Sequence, residues 1–124
     1  MGNTLLLRAD EKEFNPKTIE HVFRTEAGFG NVRFHEPGGA AIECRYTDPE
    51  SGDSILVRLS GRLTAISLAD TSDIALRAAV LLQARLQIPL RMVDTDYTYD
   101  LNLSDHATLD ELNAAIDEAR AEGS

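Results

Sequence analysis

Cysteine and long apolar runs are scarce in this chain, and each absence excludes a class of protein. Cys44 is the single cysteine, so an internal disulfide and a thiolate-rich metal site are both excluded. The apolar run at residues 5–7 is too short for a signal-peptide core, and no apolar stretch approaches the roughly 20 residues of a membrane span. We therefore expect a cytoplasmic protein with no membrane association.

Histidine pairs and nucleotide-binding motifs are also missing. His21, His35 and His106 form no His-x-x-His or His-x-x-x-His pair, so the sequence offers no zinc-binding spacing. It contains no Walker loop, no Gly-x-Ser-x-Gly elbow and no dinucleotide fingerprint. The sequence thus predicts no metal, no cofactor and no enzymatic activity.

The remaining composition is that of an ordinary globular domain. The 124 residues are 43% hydrophobic and 27% charged, which is typical of a folded chain. This length provides one core that is stable without disulfides or metals, so we predict a single domain over residues 1–124. Cys44 lies on the apolar side of its predicted strand and is expected to be a buried structural thiol.

Helix and strand signals alternate along the first two thirds of the chain. Asn15-Pro16 begins a first helix, and Gly28 is expected to end it. Four alternating polar and apolar stretches between residues 32 and 68, separated by turn sequences, predict an antiparallel meander. A very apolar helix over 74–87 is predicted to lie across the sheet as the central core element. If Leu81 in this helix is fully buried, its truncation to alanine would cost about 2–5 kcal/mol.

The last third of the chain adds one strand region and one helix. The strand region, Arg91 to Leu103, changes the phase of its apolar residues near 93–95, where we expect a bulge or a turn. The capping box at Thr108–Glu111 begins the last helix. With a first strand near Thr4–Ala9, the predicted order is β-α-β-β-β-β-α-β-α. This is an α+β fold, an antiparallel meander sheet with helices packed on it.

The charges of the chain are unevenly distributed. The formal net charge is −9, and the last 31 residues hold nine acids against one base, Arg120. The first 93 residues are nearly neutral, with twelve acids and eleven bases. Negative charge concentrated in this way attracts basic partners and repels nucleic acid. The pI near 4.7 likewise argues against a nucleic-acid-binding surface, so we predict a protein partner with a basic surface.

Three of these acids fall on one face of the predicted strand. Asp94, Asp96 and Asp100 share its parity, where same-face neighbours are about 7 Å apart. The segment lacks the glycine and glutamate of a calcium loop, so a metal site is not supported. A solvated face that prevents edge-to-edge aggregation is the simpler interpretation, and a partner surface is the functional one. Reversing all three to lysine is then expected to change stability by no more than about 0.5 kcal/mol.

The last helix carries the second group of acids. Glu118 and Glu122 lie near its C-terminus, where the helix dipole favours cations, and their spacing of four residues makes them repel each other. Unfavourable charge placements of this kind are found at functional surfaces and also at exposed, frayed helix ends. The candidate partner-binding residues are Asp94, Asp96, Asp100, Asp105, Asp110, Asp117, Glu118 and Glu122.

The C-terminal third also carries a family resemblance. An aspartate- and tyrosine-rich segment, Arg91–Asp100, precedes the capped acidic helix at Thr108–Leu112. A small, acidic, cysteine-poor α+β protein with these segments resembles the immunity proteins of bacterial polymorphic toxins. The resemblance implies an inhibitor that covers the basic surface of a toxin or enzyme, and it implies no particular functional residue.

Two other functions are compatible with the sequence. In one, the chain is a structural or oligomerising accessory domain, such as a homodimer, and its acidic quarter only keeps it soluble. In the other, the fold holds a site for a small ligand or substrate. Such a site would need polar groups that converge in a pocket, for example His35, Glu43, Arg45 and Tyr46.

Overall fold

Three helices and seven strands make up the part of the chain that the structure describes. The structure is a computed structural model, and it describes residues 4–9, 13–26, 28–34, 42–60, 63–69, 73–94, 100–106 and 108–123. The helices are α1 (Pro16–Thr25), α2 (Asp73–Leu86) and α3 (Leu109–Gly123), and a short 3-10 turn spans Leu103–Asp105. The strands are β1 (Leu5–Ala9), β2 (Phe29–Phe34), β3 (Ile42–Thr47), β4 (Ser54–Leu59), β5 (Ile66–Leu68), β6 (Leu90–Asp94) and β7 (Asp100–Asn102).

The strands form one antiparallel sheet in the order β2-β3-β4-β5-β1-β6-β7. The predicted α+β class and the meander from β2 to β5 are confirmed. The predicted order differs at one point, because the strand region 91–103 is two strands, β6 and β7, which pair antiparallel. The phase change in the sequence therefore marks a reversal of chain direction between β6 and β7. The residues that connect these two strands, 95–99, lie outside the described residues.

Helix α1 begins where its sequence predicts. The side-chain oxygen of Asn15 accepts a hydrogen bond from the backbone N–H of Lys17 at 2.9 Å, and Pro16 occupies the first turn. The apolar face of the helix packs against β2, with Ile19, Val22 and Phe23 buried. Local capping chemistry and one apolar face are enough to define this helix.

The prediction that Gly28 ends α1 is wrong. The helix ends at Thr25, and its C-cap residue, Glu26, is extended. Gly28 has φ +96°, and a Cβ atom there would lie 2.8 Å from Cε1 of Tyr46 and 3.1 Å from the carbonyl oxygen of Thr47. This position needs glycine for its backbone conformation and for the close approach of β3.

One face of the sheet is buried beneath the helices. Burial alternates along the strands, as in β3, where Ile42, Cys44 and Tyr46 are at most 3% exposed. Helix α2 contacts both α1 and α3, so its predicted central place is confirmed. On the outer side of α2, however, Leu81 is only half-buried, so the full burial on which its predicted cost of about 2–5 kcal/mol depended is not met.

The thiol of Cys44 lies in this core, as predicted, and is 1% exposed. Burial raises its pKa to about 12, and the charge of Glu43 adds to the rise. Because the thiolate is the reactive form, we expect the native protein to resist a disulfide reagent such as DTNB at about pH 8. The denatured chain is expected to react fully under the same conditions. Equal rates of labelling for the native and denatured protein would contradict the buried position.

Candidate partner-binding surface on the helical layer

The structure separates the acids that the sequence grouped on one strand. Asp94, the last residue of β6, is 2% exposed and lies on the buried face of the sheet, directly opposite Leu5. Asp100 is paired with Val93 and lies on the opposite face. The predicted exposure of Asp94 is therefore wrong, because the chain reverses between the two aspartates, and Asp94 offers almost no surface to a partner. Asp96 lies outside the described residues.

Asp100 is exposed, but a base engages it. Its two carboxylate oxygens accept hydrogen bonds from Nε and Nη2 of Arg91 at 3.1 and 2.9 Å. Each of the two side chains is 49% exposed, so the pair contributes little to stability. Of the three strand acids, Asp94 is thus buried, Asp100 is paired with Arg91, and Asp96 lies outside the described residues.

Helix α3 does present exposed acidic side chains. Asp110, Asp117 and Glu118 are exposed, and their spacing of seven and eight residues places them on one side of the helix. No described base forms an ion pair with these three carboxylates. Asp105 is exposed in the 3-10 turn that precedes the helix, and Glu122 belongs to α3, with a side chain outside the described part.

Packing and capping hold α3 in place. Leu112 and Ile116 on its inner side are at most 5% exposed, and the helix packs on α2. Thr108 accepts a hydrogen bond from the backbone N–H of Glu111 at 3.1 Å through Oγ1, as its capping box predicts. The acids on the outer side of α3 therefore project from a fixed element.

An apolar cleft adjoins the first turn of α3. It has a volume of about 250 Å³ and is lined by Tyr46, Arg77, Val80, Leu81 and Leu109. Val80, Leu81 and Leu109 are half-buried, and Leu109 is the residue before Asp110. Sequence reasoning missed the cleft because it assigned the apolar residues of α2 to the core. The only signal was that α2 is apolar on more sides than one neighbouring layer can cover.

Carboxylates outnumber bases at the edge of the cleft. The Arg77 guanidinium lies 3.4 Å from a carboxylate oxygen of Asp48 and 3.1 Å from one of Glu50. The hydrogen bond that Arg77 donates to the Glu50 carboxylate, together with the charge of Asp48, raises the pKa of Arg77. Burial, followed by the charge of Asp48, raises the pKa of Tyr46. Two carboxylates share one guanidinium, so this group of three side chains carries a net negative charge at the edge of the cleft.

Of the four residues proposed for a ligand pocket, the three that the structure describes do not lie on one face of the sheet. Tyr46 lies on the buried face of β3 and borders the apolar cleft. Glu43 and Arg45, whose parity in the strand is the opposite, lie on the other face of the sheet. His35 lies outside the described residues. The predicted grouping ignored the alternation of side chains along a strand.

The described residues contain neither a metal-binding cluster nor a membrane-spanning helix. Within these ranges, no three side chains of histidine, cysteine, aspartate or glutamate come close enough to hold a metal ion. None of the helices there is both long and apolar enough to cross a bilayer. Comparisons with known proteins give no matching family model, no similar curated protein and no similar solved structure.

Proposed function

We propose that this protein is a small acidic protein-binding module, an immunity-type inhibitor of a toxin or enzyme with a basic surface. The observation that carries the proposal is the junction between the apolar cleft and the acidic helix. Leu109 lines the cleft, and Asp110 follows it on the exposed side of α3. Apolar and acidic contacts would thus meet one partner at adjoining positions.

The two parts of this surface would act differently in binding. The half-buried side chains of Val80, Leu81 and Leu109 would receive an apolar side chain of the partner, and such a pocket supplies much of the binding energy. The carboxylates of Asp117 and Glu118 would meet lysine or arginine. Exposed charges of this kind mainly raise the association rate, and their effect weakens as salt screens them.

The test is affinity capture from lysate of the source organism, with four forms of the protein as bait. The first is the wild type, and the second is Leu81→Ala, which opens the cleft without changing the charge. The third is Asp117→Lys/Glu118→Lys. The fourth, Glu13→Lys/Asp53→Lys, makes the same change in net charge at exposed positions outside α3 and the cleft. Mass spectrometry identifies the captured protein, and its affinity is then measured with each form at two salt concentrations.

The proposal expects one basic protein that binds the wild type and the Glu13→Lys/Asp53→Lys control. The α3 double variant is expected to weaken binding by at least about tenfold, since it replaces two carboxylates with two ammonium groups that would face the basic surface of the partner. Leu81→Ala is expected to weaken binding as well, and this loss should persist at high salt. A partner that binds all four forms equally would show that neither the helix nor the cleft recognises it.

The alternative function, an oligomerising accessory domain, is favoured by one observation. The sheet face that is turned away from the helices carries half-buried Leu6, Leu56 and Val93. The same face also carries several arginines, however. Two such faces packed together would bring like charges close, which opposes this kind of association. Sedimentation would detect this alternative as self-association that does not depend on salt.

A further inference from the structure

Arginine is concentrated on the face of the sheet that the helices leave open. Arg33 of β2, Glu43 of β3 and Arg58 of β4 lie directly opposite one another in a row across three strands. Arg45 lies two residues from Glu43 and therefore on the same face. This face therefore holds three arginines, Arg33, Arg45 and Arg58, near one carboxylate, that of Glu43. The acids of α3 lie on the other side of the sheet, with the helices.

A β-bulge shapes this region. Gly30 is paired with Arg45 and Arg33 with Glu43, so the two residues Asn31 and Val32 stand against one residue of β3. Asn31 has φ +55°, in the left-handed region that asparagine tolerates better than most residues. The bulge interrupts the ladder between β2 and β3. The cleft found there has a volume of about 230 Å³ and is lined by Asn31, Arg33, Glu43, Cys44, Arg45 and Leu56.

The charge that faces this cleft is positive. The one carboxylate in its lining, Glu43, lies 2.9 Å from Nε of Arg58 and is only 19% exposed. Arg45 donates a hydrogen bond of 3.1 Å to the hydroxyl of Ser54, a neutral acceptor, and no described carboxylate forms an ion pair with Arg45. Arg33 forms no ion pair with any described residue. Among the described residues, therefore, two guanidinium groups border the cleft without an ion-pair partner of their own.

We propose that this cleft binds the oxyanion group of a small ligand, a carboxylate or a phosphate, between Arg33 and Arg45. Guanidinium groups are planar and donate hydrogen bonds in pairs, which suits both oxyanions. Asn31, a polar residue, lines the same cleft. The site is independent of the proposed function, because it lies on the opposite face of the sheet from α3 and the apolar cleft.

The test is a titration of the uniformly ¹⁵N-labelled protein with inorganic phosphate and, separately, with succinate, at constant ionic strength. The amide signals of residues 30–33 and 43–45 report on the cleft. A matched pair of variants removes two positive charges each, Arg33→Gln/Arg45→Gln in the cleft and Lys17→Gln/Arg24→Gln on exposed positions of α1. The single variant Arg33→Gln replaces the cleft variant if the latter does not give a native spectrum.

We expect saturable shifts at the cleft amides with at least one of the two anions. The cleft variant is expected to bind at least about tenfold more weakly, and the α1 variant is expected to match the wild type. Saturation by phosphate alone assigns a phosphate ligand, and saturation by succinate alone assigns a carboxylate. Shifts that are linear for both anions, or equally weakened in both variants, would overturn the site.

Discussion

Asp94→Lys is expected to destabilise the protein by about 3 kcal/mol or more. Asp94 is 2% exposed and lies opposite Leu5, two residues after the fully buried Met92. A lysine at this position would place an ammonium group in the apolar layer, or force the end of β6 out of the sheet. Urea denaturation followed by circular dichroism measures the effect as a shift in the midpoint.

The matched control for this variant is Asp105→Lys. It makes the same change in charge at an exposed residue of the 3-10 turn and is expected to alter stability by no more than about 0.5 kcal/mol. Equal midpoints for the two variants would mean that Asp94 is exposed in solution. If Asp94→Lys is destabilised as expected, a binding defect of this variant would report unfolding and not recognition.

The parts of the fold that could be predicted from sequence are those that depend on neighbouring residues. Asn15-Pro16 defines the start of α1 through a cap and a fixed φ, and the capping box at Thr108 does the same for α3. Alternation and short turns likewise identify the meander, in which each strand pairs with the next. Such signals involve contacts over a few residues, so they can be seen in the sequence itself.

The burial of Asp94 could not be predicted, because it depends on pairing between distant strands. Strand β1 pairs with both β5 and β6, so the N-terminal strand lies inside the sheet between two strands from the second half of the chain. No local signal specifies this insertion. It places the end of β6 within the sheet, with Asp94 on the face that the helices cover. In the sequence, Asp94 shares the parity of Asp96 and Asp100, and all three were therefore predicted to lie on one solvated strand face.

The acidic surface was predicted in part. Asp110, Asp117 and Glu118 are exposed on one side of α3, as helical periodicity indicates. The apolar cleft next to this surface was not predicted. Helix α2 is apolar on most sides, so its sequence does not reveal which side the rest of the protein leaves uncovered. That depends on where α1 and α3 pack against α2, and these positions are fixed by tertiary contacts.

Two adjacent leucines of α2 are expected to respond very differently to truncation. Leu82 is 0% exposed, and Leu82→Ala is expected to cost about 2–5 kcal/mol through lost burial and the cavity that it leaves. Leu81 is half-buried at the cleft, so Leu81→Ala removes less contact with the protein and should cost about 1 kcal/mol or less. Urea denaturation of both variants gives the comparison directly.

The same pair of variants distinguishes the core from the binding surface. If the cleft receives a partner, Leu81→Ala should weaken binding while the protein stays folded. Leu82→Ala should lower stability, yet the fraction that remains folded should bind normally because the Leu82 side chain does not reach the surface. A cost of about 3 kcal/mol for Leu81→Ala would instead show that other parts of the chain fill the cleft in solution. The cleft would then belong to the core, and recognition would rest on the acids of α3 alone.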